Sequence, residues 1–438
     1  MKDRFFDLSE RLARELRAAE VLLCNFSGER SDFVRFNQGR VRQAGTVEQR
    51  FLSVRLVRDR RHAAASLALS GNAEDWESAR AALHGLREVL GELPEDPWLS
   101  IAGEPRSTSS EHRGALAGPE AVVDQTLAAV RARDLVGIYA GGPVYCGFAN
   151  SLGQRNWHET QSFHFDWSLH GTPGQAVKGS YAGFDWDAEV LGERIEAAAG
   201  ELALLASVPR RIEPGEYRTY LAPRALEEMM GLLCWGGFSA RAHATGQSPL
   251  LRLARGEALS PIVTLTENTR EGLAPDFQAE GFVKPPSVIL IGGGKLAEAL
   301  VSPRTAMEYA LVTNAADAGE SPESLELSAG HLAAKEVLSA LDTGLYVSNL
   351  WYLNYSDRAA GRITGMTRFA TFWVERGRIA APVEPMRFDD SILRMFGDNL
   401  LDLTSERELL IDPSTYEERS TSSARLPGAL LRALRFTL

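Results

Sequence analysis

Apolar residues recur at helical spacing in several segments of the chain. Near the N-terminus the spaced apolar residues, separated by arginines and glutamates, are Phe6, Leu8, Leu12 and Leu16. The same criterion predicts three further helices in the first half of the chain, at about residues 72–90, 119–134 and 188–207. Asn72 is the expected N-cap of the first of these three, and Pro119 suits the first turn of the next.

Between these helices the hydrophobic period shortens, and β-branched and aromatic residues dominate. The pattern predicts a meander of strands over residues 19–71, followed by strands at 135–142, 143–151, 155–171 and 176–187. Residues 92–114 are rich in proline, serine and charge, which is typical of a loop. The first part of the chain is therefore predicted to be an α+β unit.

A proline-flanked basic pair near residue 209 marks a domain boundary, giving domains 1–208 and 209–438. The second domain is predicted to be β-rich, with one helix beginning near Pro223. Strands are expected at about residues 261–268, 287–302, 343–354 and 368–382. A helix is expected at about 331–341, a short amphipathic helix at 389–403, and a strand or helix at 424–438. The expected fold class is α+β.

The charge balance limits the function classes. The chain has 438 residues with 47 Lys+Arg and 58 Asp+Glu, a net charge of −11. Phosphate binding needs a surplus of basic charge, so a general nucleic-acid binder is not expected. Three widely separated cysteines, Cys24, Cys146 and Cys234, exclude a disulfide framework and favour the cytoplasm. No signal peptide and no membrane-spanning stretch is expected.

Three histidines, His158, His164 and His170, lie six residues apart in a strand-like segment. A helical zinc site needs histidines four residues apart, on one face. On a strand these histidines would share a face, but a rise of ~3.3 Å per residue separates neighbours by about 20 Å. We interpret the segment as strand packing, with a metal site as the alternative.

A second motif, Gly292 to Lys295, follows an apolar run and suggests a phosphate-binding loop. The phosphate motif needs four spacer residues and a Ser or Thr after the lysine, but Leu296 follows here. We therefore expect a glycine-rich β-turn.

Cys234 is a candidate nucleophile, although a buried structural cysteine is the favoured interpretation. His243 and His331 are isolated in the sequence and are interpreted as structural. The acidic pairs Glu227–Glu228 and Asp389–Asp390 are interpreted as solvated faces.

Several segments, in their order along the chain, resemble the TldD/PmbA family, the two-subunit peptidases once called modulators of DNA gyrase. These segments are residues 36–66, 149–154, 221–250, 302–315 and 343–403. The last of them carries a G-L-Y-V strand, a following strand pair, a P-V turn and a helix that closes on a G-D-N-L segment. The resemblance implies a barrel-like second domain around a central helix.

The family contains two kinds of subunit. The resemblance implies that the TldD kind carries H-E-x-x-x-H on the central helix, with two histidines and a C-terminal cysteine as zinc ligands and the glutamate as general base. Counting back from Ser248, the corresponding positions here are Gly231, Leu232, Leu233, Cys234, Trp235 and Gly236. Both ligand positions are glycine, the base position is Leu232, and the C-terminal tail has no cysteine.

The resemblance therefore implies a PmbA/TldE-like subunit with no metal of its own. It would assist a zinc-containing TldD-like partner in hydrolysing peptides or unfolded segments, for peptide maturation or degradation. Cys234, Trp235 and Gly237 are candidates for a substrate cleft, and strand addition is the expected mode of peptide binding. The alternatives are a stand-alone hydrolase that uses Cys234 or another nucleophile, and a homodimeric peptide-binding scaffold.

Overall fold

The computed structural model describes residues 1–172 and 174–437. The first domain is built around a seven-stranded sheet in the order β3-β2-β1-β5-β6-β4, with β7 also paired to β6. Its elements are α1 (Lys2–Arg14), β1 (Val21–Asn37), β2 (Arg40–Arg58), β3 (Arg61–Ala68), α2 (Glu74–Leu90), β4 (Ser109–His112), α3 (Pro119–Val130), β5 (Asp134–Asn150), β6 (Arg155–His170), β7 (Ala176–Gly183) and α4 (Ala188–Leu205).

The two faces of this sheet differ. Alternate residues of β1 and β6, such as Phe26 and Phe165, pack with the four helices in two hydrophobic clusters. The intervening residues face the second domain, where Phe148 packs with Phe277. Because side chains alternate along a strand, β6 carries an aromatic row on one face and a polar row on the other.

The second domain contains an eleven-stranded sheet. Its elements are β8 (Gly215–Leu221), α5 (Pro223–Cys234), α6 (Ala240–Ala244), α7 (Leu251–Ala254), β9 (Leu265–Glu267), β10 (Val288–Gly292), β11 (Lys295–Leu296), α8 (Pro303–Tyr309), β12 (Ser324–Leu327), a 3₁₀ turn (Ala334–Glu336), α9 (Val337–Leu341), β13 (Gly344–Asp357), β14 (Arg362–Glu375), β15 (Arg378–Pro382), β16 (Arg387–Ser391), α10 (Ile392–Met395), β17 (Leu400–Ile411) and β18 (Ser423–Phe436).

Five strands of this sheet close into a ring, because β8 pairs with both β13 and β18 while β14 and β16 complete the circuit. The apolar face of α5, including Leu226, Met229 and Leu233, packs into the core that these strands form. The α+β class and the barrel-like second domain with its central helix are confirmed. The predicted boundary at residue 208 falls between α4 and β8.

Several predicted elements have the expected position. The meander of β1, β2 and β3, the helices α1 to α4 and the strands β6 and β7 lie within a few residues of their predicted bounds. The Gly292–Lys295 segment is a tight β10–β11 turn, in which Gly293 and Gly294 have φ of 54° and 79°. Positive φ at both central residues is what a two-residue hairpin requires, so the β-turn prediction is confirmed.

Asn72 is not the N-cap of α2. The cap position is Ala73, whose side chain makes no capping bond. The Asp75 carboxylate instead accepts hydrogen bonds from the backbone N–H groups of Ser70 and Gly71, at 2.8 Å each. Asp75 therefore ties the preceding loop to the first turn of α2, and among the described residues no side chain caps the N–H groups of the helix.

The two strands predicted at 135–142 and 143–151 are one strand, β5. Pro143 lacks an N–H group, and the sequence prediction places the strand break at this residue. In the structure β5 continues because Pro143 pairs with Gln161 of β6, while the ladder to β1 skips from Val144 to Gly141. At Pro143, β5 makes no ladder pair with β1, so the missing N–H group removes no hydrogen bond on that side of the strand.

The expectations for four other segments were partly wrong. Residues 389–403 contain only a four-residue helix, α10, between β16 and β17. Gly397 ends this helix, since a Cβ there would lie 2.2 Å from the Leu393 carbonyl oxygen. The predicted loop 92–114 includes β4, the predicted helix at 331–341 begins only at Ala334, and the short helices α6 to α8 were not predicted. No helix in the described ranges is long and apolar enough to cross a membrane.

Candidate functional site

The end of α5 carries the positions singled out in the sequence. The helix begins at Pro223, which suits the first turn. It ends at Cys234, and Gly236 then adopts φ of 79°. The Gly237 N–H group donates to the Leu233 carbonyl at 2.9 Å, and a Cβ at Gly237 would lie 2.2 Å from that oxygen. Glycine is therefore required by close backbone approach at this exit.

Side chains from the β13–β14 hairpin bind the carbonyls at this helix end. The Tyr355 hydroxyl donates to the Leu232 carbonyl at 2.8 Å. The Arg358 guanidinium donates to the Trp235 carbonyl at 2.5 Å and to the Gln247 carbonyl at 2.8 Å, and it lies 4.9 Å from the centre of the Trp235 ring. A cation at a helix C-terminus is favourable, so Arg358 fixes both the helix end and the Trp235 ring.

The positions that correspond to zinc ligands do not fit a metal. Gly231 is exposed on α5, and a Cβ there would have no neighbour within 4 Å. Gly236 lies beyond the helix end, and Leu232 between them is half-buried. Glycine and leucine offer no donor atom. Within residues 1–172 and 174–437, no three His, Cys, Asp or Glu side chains are grouped so that they could hold a metal ion.

Cys234 is packed against the core of the second domain. Burial raises the pKa of its thiol to about 12, so the thiol is protonated at neutral pH. His243 uses its Nε2 to donate to the Gly237 carbonyl at 2.9 Å. In this environment the thiolate that nucleophilic catalysis requires is strongly disfavoured.

The three histidines of β6 have different environments, although their alternation places them on one face. His158 is buried, with Nδ1 2.8 Å from the Ser110 hydroxyl and Nε2 2.8 Å from the Leu273 carbonyl. Burial lowers the pKa of His158 to about 4, so the ring is neutral and holds the two domains together. His170 lies at the exposed end of the strand.

His164 is buried between two arginines of the second domain. Neither of its ring nitrogens has a hydrogen-bond partner within the described part of the chain. Burial, together with the positive charges of Arg419 and Arg224, lowers the pKa of His164 to about 3. Arg224 is itself ion-paired with Asp166 of β6 and with Glu227, the latter at 2.6 Å.

Arg419 reaches the same face of the first sheet from the loop between β17 and β18. It is 2% exposed. Its guanidinium donates to the Gly142 carbonyl at 2.9 Å, to the Ser162 carbonyl at 2.8 Å and to the Ser31 hydroxyl at 3.3 Å. Nothing in the polar sequence around residue 419 distinguishes this arginine from a solvated one, so sequence reasoning missed it.

The comparison with known families assigns the chain. The family model described as the PmbA/TldA metallopeptidase C-terminal domain matches residues 214–437, just over half of the chain. The chain belongs to the PmbA/TldA metallopeptidase family. The predicted resemblance is therefore confirmed.

Solved structures share the PmbA/TldA fold over the whole chain. A putative modulator of DNA gyrase from Thermotoga maritima is 17% identical with a TM-score of 0.75, covering 100% of this chain and 99% of that one. TldE from Thermococcus kodakarensis is 13% identical with a TM-score of 0.80, covering 99% of each chain. A putative modulator of DNA gyrase from Bacteroides thetaiotaomicron is 15% identical with a TM-score of 0.76, covering 100% and 98%. No curated protein sequence matches significantly.

One member of each acidic pair differs from the expectation of a solvated face in this PmbA/TldA chain, whereas Glu228 is exposed as expected. Glu227 is largely buried in its ion pair with Arg224. Asp390 is buried and accepts hydrogen bonds from Arg394 at 2.6 Å and from the Arg435 backbone N–H group at 3.1 Å. Each carboxylate is buried because a nearby arginine or N–H group satisfies it, which adjacent acids in a sequence cannot reveal.

A further buried charge cluster lies close to the end of α5. The Lys284 ammonium pairs with Asp317 at 2.9 Å and also with Glu323. Burial raises the pKa of Glu323 to about 7, although Lys284 opposes the shift. The same acidic segment reaches α5 directly, since the Ser321 hydroxyl donates to the Cys234 carbonyl at 3.2 Å. The charge cluster and the Ser321 contact with the helix exit were not predicted from sequence.

Proposed function

We propose that this chain is the non-catalytic, PmbA/TldE-like subunit of a heterodimeric TldD/TldE-type zinc metallopeptidase of the cytoplasm. The catalytic zinc belongs to the TldD-like partner, and the substrates are peptides or unfolded segments. One observation carries the proposal: in a chain of this family, both positions that correspond to zinc ligands are glycine, and Gly231 faces open space. A chain that lacks the metal-binding atoms contributes a binding surface to the complex, and its partner carries out the hydrolysis.

An exposed aromatic surface supports the existence of a partner. We define the aromatic face as Trp235, Trp351, Tyr352, Arg358 and Arg368. The exposed fractions are 65% for Trp235, 47% for Trp351 and 71% for Tyr352. The Arg368 guanidinium lies 4.2 Å from the centre of the Trp351 ring. Exposed tryptophan, tyrosine and arginine together are typical of the energetically dominant residues of protein interfaces.

The backbone beneath this face is distorted. The β13–β14 ladder shifts register at three points, including between Trp351 and Asn354. Tyr352 and Phe369 both have φ of 58°, a conformation that bulky residues rarely adopt. Bulges of this kind redirect side chains out of a sheet, and here they accompany the exposure of Trp351 and Tyr352. The distortion supports a binding role for the hairpin.

Association with an H-E-x-x-x-H subunit tests the proposal. Sedimentation velocity on an equimolar mixture at micromolar concentration should show a one-to-one complex. The substitutions Trp351→Ser and Tyr352→Ser should each weaken association at least ~10-fold, as expected for interface residues that dominate the binding energy. Val312→Ser, which removes an apolar group that is 90% exposed outside the aromatic face, is the control. Failure of the wild-type chain to associate would contradict the proposal.

The homodimeric alternative uses the same surface. An unpaired aromatic face favours self-association of the isolated chain, as a homodimer or as aggregates. Mixing with the H-E-x-x-x-H partner distinguishes the two cases. If this chain is a heterodimeric subunit, its homodimer should dissociate and the heterodimer should form.

A further inference from the structure

A groove of about 560 Å³ lies on the face of the first sheet that meets the second domain. Arg35 of β1, Arg42 of β2 and Lys178 of β7 line it, and Pro413 from the loop after β17 contributes to its wall. We call this the cationic groove. It is separate from the aromatic face and from the end of α5, which lie in the second domain.

The cations of the groove have no protein partners. Arg35, Arg42 and Lys178 form no ion pair and no side-chain hydrogen bond within residues 1–172 and 174–437, whereas Arg87 and Arg224, which are less exposed, are ion-paired. Asp166 is the acid in the lining, and it is committed to Arg224. Glu408 and Asp412 are near Asp166 but do not line the groove. Three cations with a single acid in one concavity favour an anionic ligand.

Buried donors lie at the same place. His164 also lines the groove, and neither of its ring nitrogens has a partner. The two arginines whose charges act on it, Arg224 and Arg419, each have a buried Nε–H group without an acceptor. A buried donor without an acceptor is costly, and the two arginine Nε–H groups and the N–H group of the neutral His164 ring each lack an acceptor oxygen. This observation is independent of the positive charges of Arg35, Arg42 and Lys178.

An open strand edge borders the groove. Between Arg40 and Gln49, β2 pairs only with β1, because β3 pairs with β2 from Phe51 onward. A second cavity of about 520 Å³ shares Arg35 and Ile138 with the groove and extends along Gly45 and Val47 of β2. Unpaired backbone N–H and C=O groups at an edge accept an extended peptide as an added strand.

We infer that the cationic groove binds an acidic extended peptide. The peptide backbone pairs with the open edge of β2, and an Asp or Glu side chain or a C-terminal carboxylate lies among Arg35, Arg42 and Lys178. The peptide nature of the ligand rests on the proposed function, and the acidic preference is new. The site makes this subunit selective for the sequence of the peptides presented to its partner.

Fluorescence anisotropy with the full-length chain alone tests the inference. The probes are fluorescein-labelled ten-residue peptides that contain Asp and Glu, and matched peptides with Asn, Gln and an amidated C-terminus. The acidic peptide should bind at least ~10-fold more tightly, as expected for charge-assisted hydrogen bonds. Its affinity should fall as salt is raised.

Variants locate the site. Arg42→Gln and Lys178→Gln should each weaken binding of the acidic peptide several-fold and leave the neutral peptide unchanged. Arg378→Gln, an exposed strand arginine of the second domain, is the matched control. Since the groove cations are unpaired, these variants should fold normally, which thermal melts check. Equal affinity for the two peptides, or an acidic preference that survives both substitutions, would overturn the inference.

Two outcomes separate this inference from the proposed function. If inorganic phosphate binds but no peptide does, the inference is wrong. If the H-E-x-x-x-H partner forms an active complex with this chain but acidic and neutral peptides are bound alike, the inference fails and the proposed function stands. If the acidic peptide binds but no complex forms, the proposed function fails instead.

Discussion

The end of α5 and the polar face of β6 are both points where distant segments meet, but they are built differently. The end of α5 uses glycines and capped carbonyls, and it leaves Trp235 exposed. The face of β6 buries Arg419 and His164 between the domains and leaves Asp166 half-buried. The first arrangement suits a surface that a partner covers, and the second suits a fixed junction. The predictions below test this contrast.

The largest effect is expected at Arg419. Arg419→Met should lower the free energy of unfolding by about 2–4 kcal/mol, because it leaves the buried Gly142 and Ser162 carbonyl oxygens without this donor from the other domain. Urea denaturation measures this. Arg378→Met, which truncates an exposed arginine, should change the stability by less than about 0.5 kcal/mol. A loss below about 1 kcal/mol for Arg419→Met would show that the junction does not depend on this residue.

The second effect is a pH dependence that arises from the buried histidines. The pKa of His164 in the folded chain is about 3, below the ordinary value of 6.5. Between these values the unfolded chain binds a proton that the folded chain does not, so stability falls as pH drops from about 6.5 towards 3. At pH 5 the free energy of unfolding should therefore be about 2 kcal/mol lower than at pH 8, at ~1.4 kcal/mol per pKa unit.

Urea melts of His164→Asn across pH 5–8 should show a smaller loss of stability than the wild-type chain. His84→Asn, which changes an exposed histidine of α2, should leave the pH dependence unaltered. Identical pH profiles for wild type and His164→Asn would show that His164 is not buried in its neutral form.

Two glycines at the end of α5 form a matched pair. Gly237→Ala should destabilise the protein by about 1–3 kcal/mol, because the new Cβ would lie 2.2 Å from the Leu233 carbonyl oxygen. Gly231→Ala places its Cβ in open space on a helix and should stabilise by about 0.5–1 kcal/mol. Thermal melts of both variants check the two signs. A stabilising Gly237→Ala would contradict the described helix exit.

The smallest effect is expected at Cys234. Cys234→Ser should alter stability mildly and leave the activity of the assembled peptidase largely intact, far from the ~100-fold loss, about 2.7 kcal/mol of barrier, that would favour a nucleophile. Cleavage assays with the partner present measure this, and Cys24→Ser is a control at another buried thiol. A larger loss of activity with the fold intact would favour the alternative in which Cys234 is a nucleophile.

The same contrast explains what the sequence could predict. Local sequence patterns suffice to predict α4, where Asp187 caps the N-terminus. They also suffice for the Gly293–Gly294 turn, where both residues have positive φ. The family resemblance then placed the positions that correspond to the zinc ligands at the end of α5. The polar face of β6 could not be predicted, because Ser31, Ser162 and Arg419 are far apart in the sequence and become neighbours only when the loop after β17 docks on the first sheet.

The partial failures have a similar cause. Pro143 breaks a strand by its local preference, but pairing with β6 on the other side keeps β5 continuous. Residues 389–403 have a helical apolar spacing, but β16 and β17 gain hydrogen bonds with β14 and β18. In each case long-range pairing outweighs a local preference worth about 1 kcal/mol.

The most direct test of the central claim is a titration of peptidase activity. A fixed amount of the H-E-x-x-x-H subunit is mixed with increasing amounts of this chain, and cleavage of a peptide substrate is measured together with the zinc content of each chain. The account predicts no activity from this chain alone, activity that rises to a plateau at one-to-one stoichiometry, and zinc only in the partner. Full activity of the partner alone, or one tightly held zinc per molecule of this chain, would contradict it.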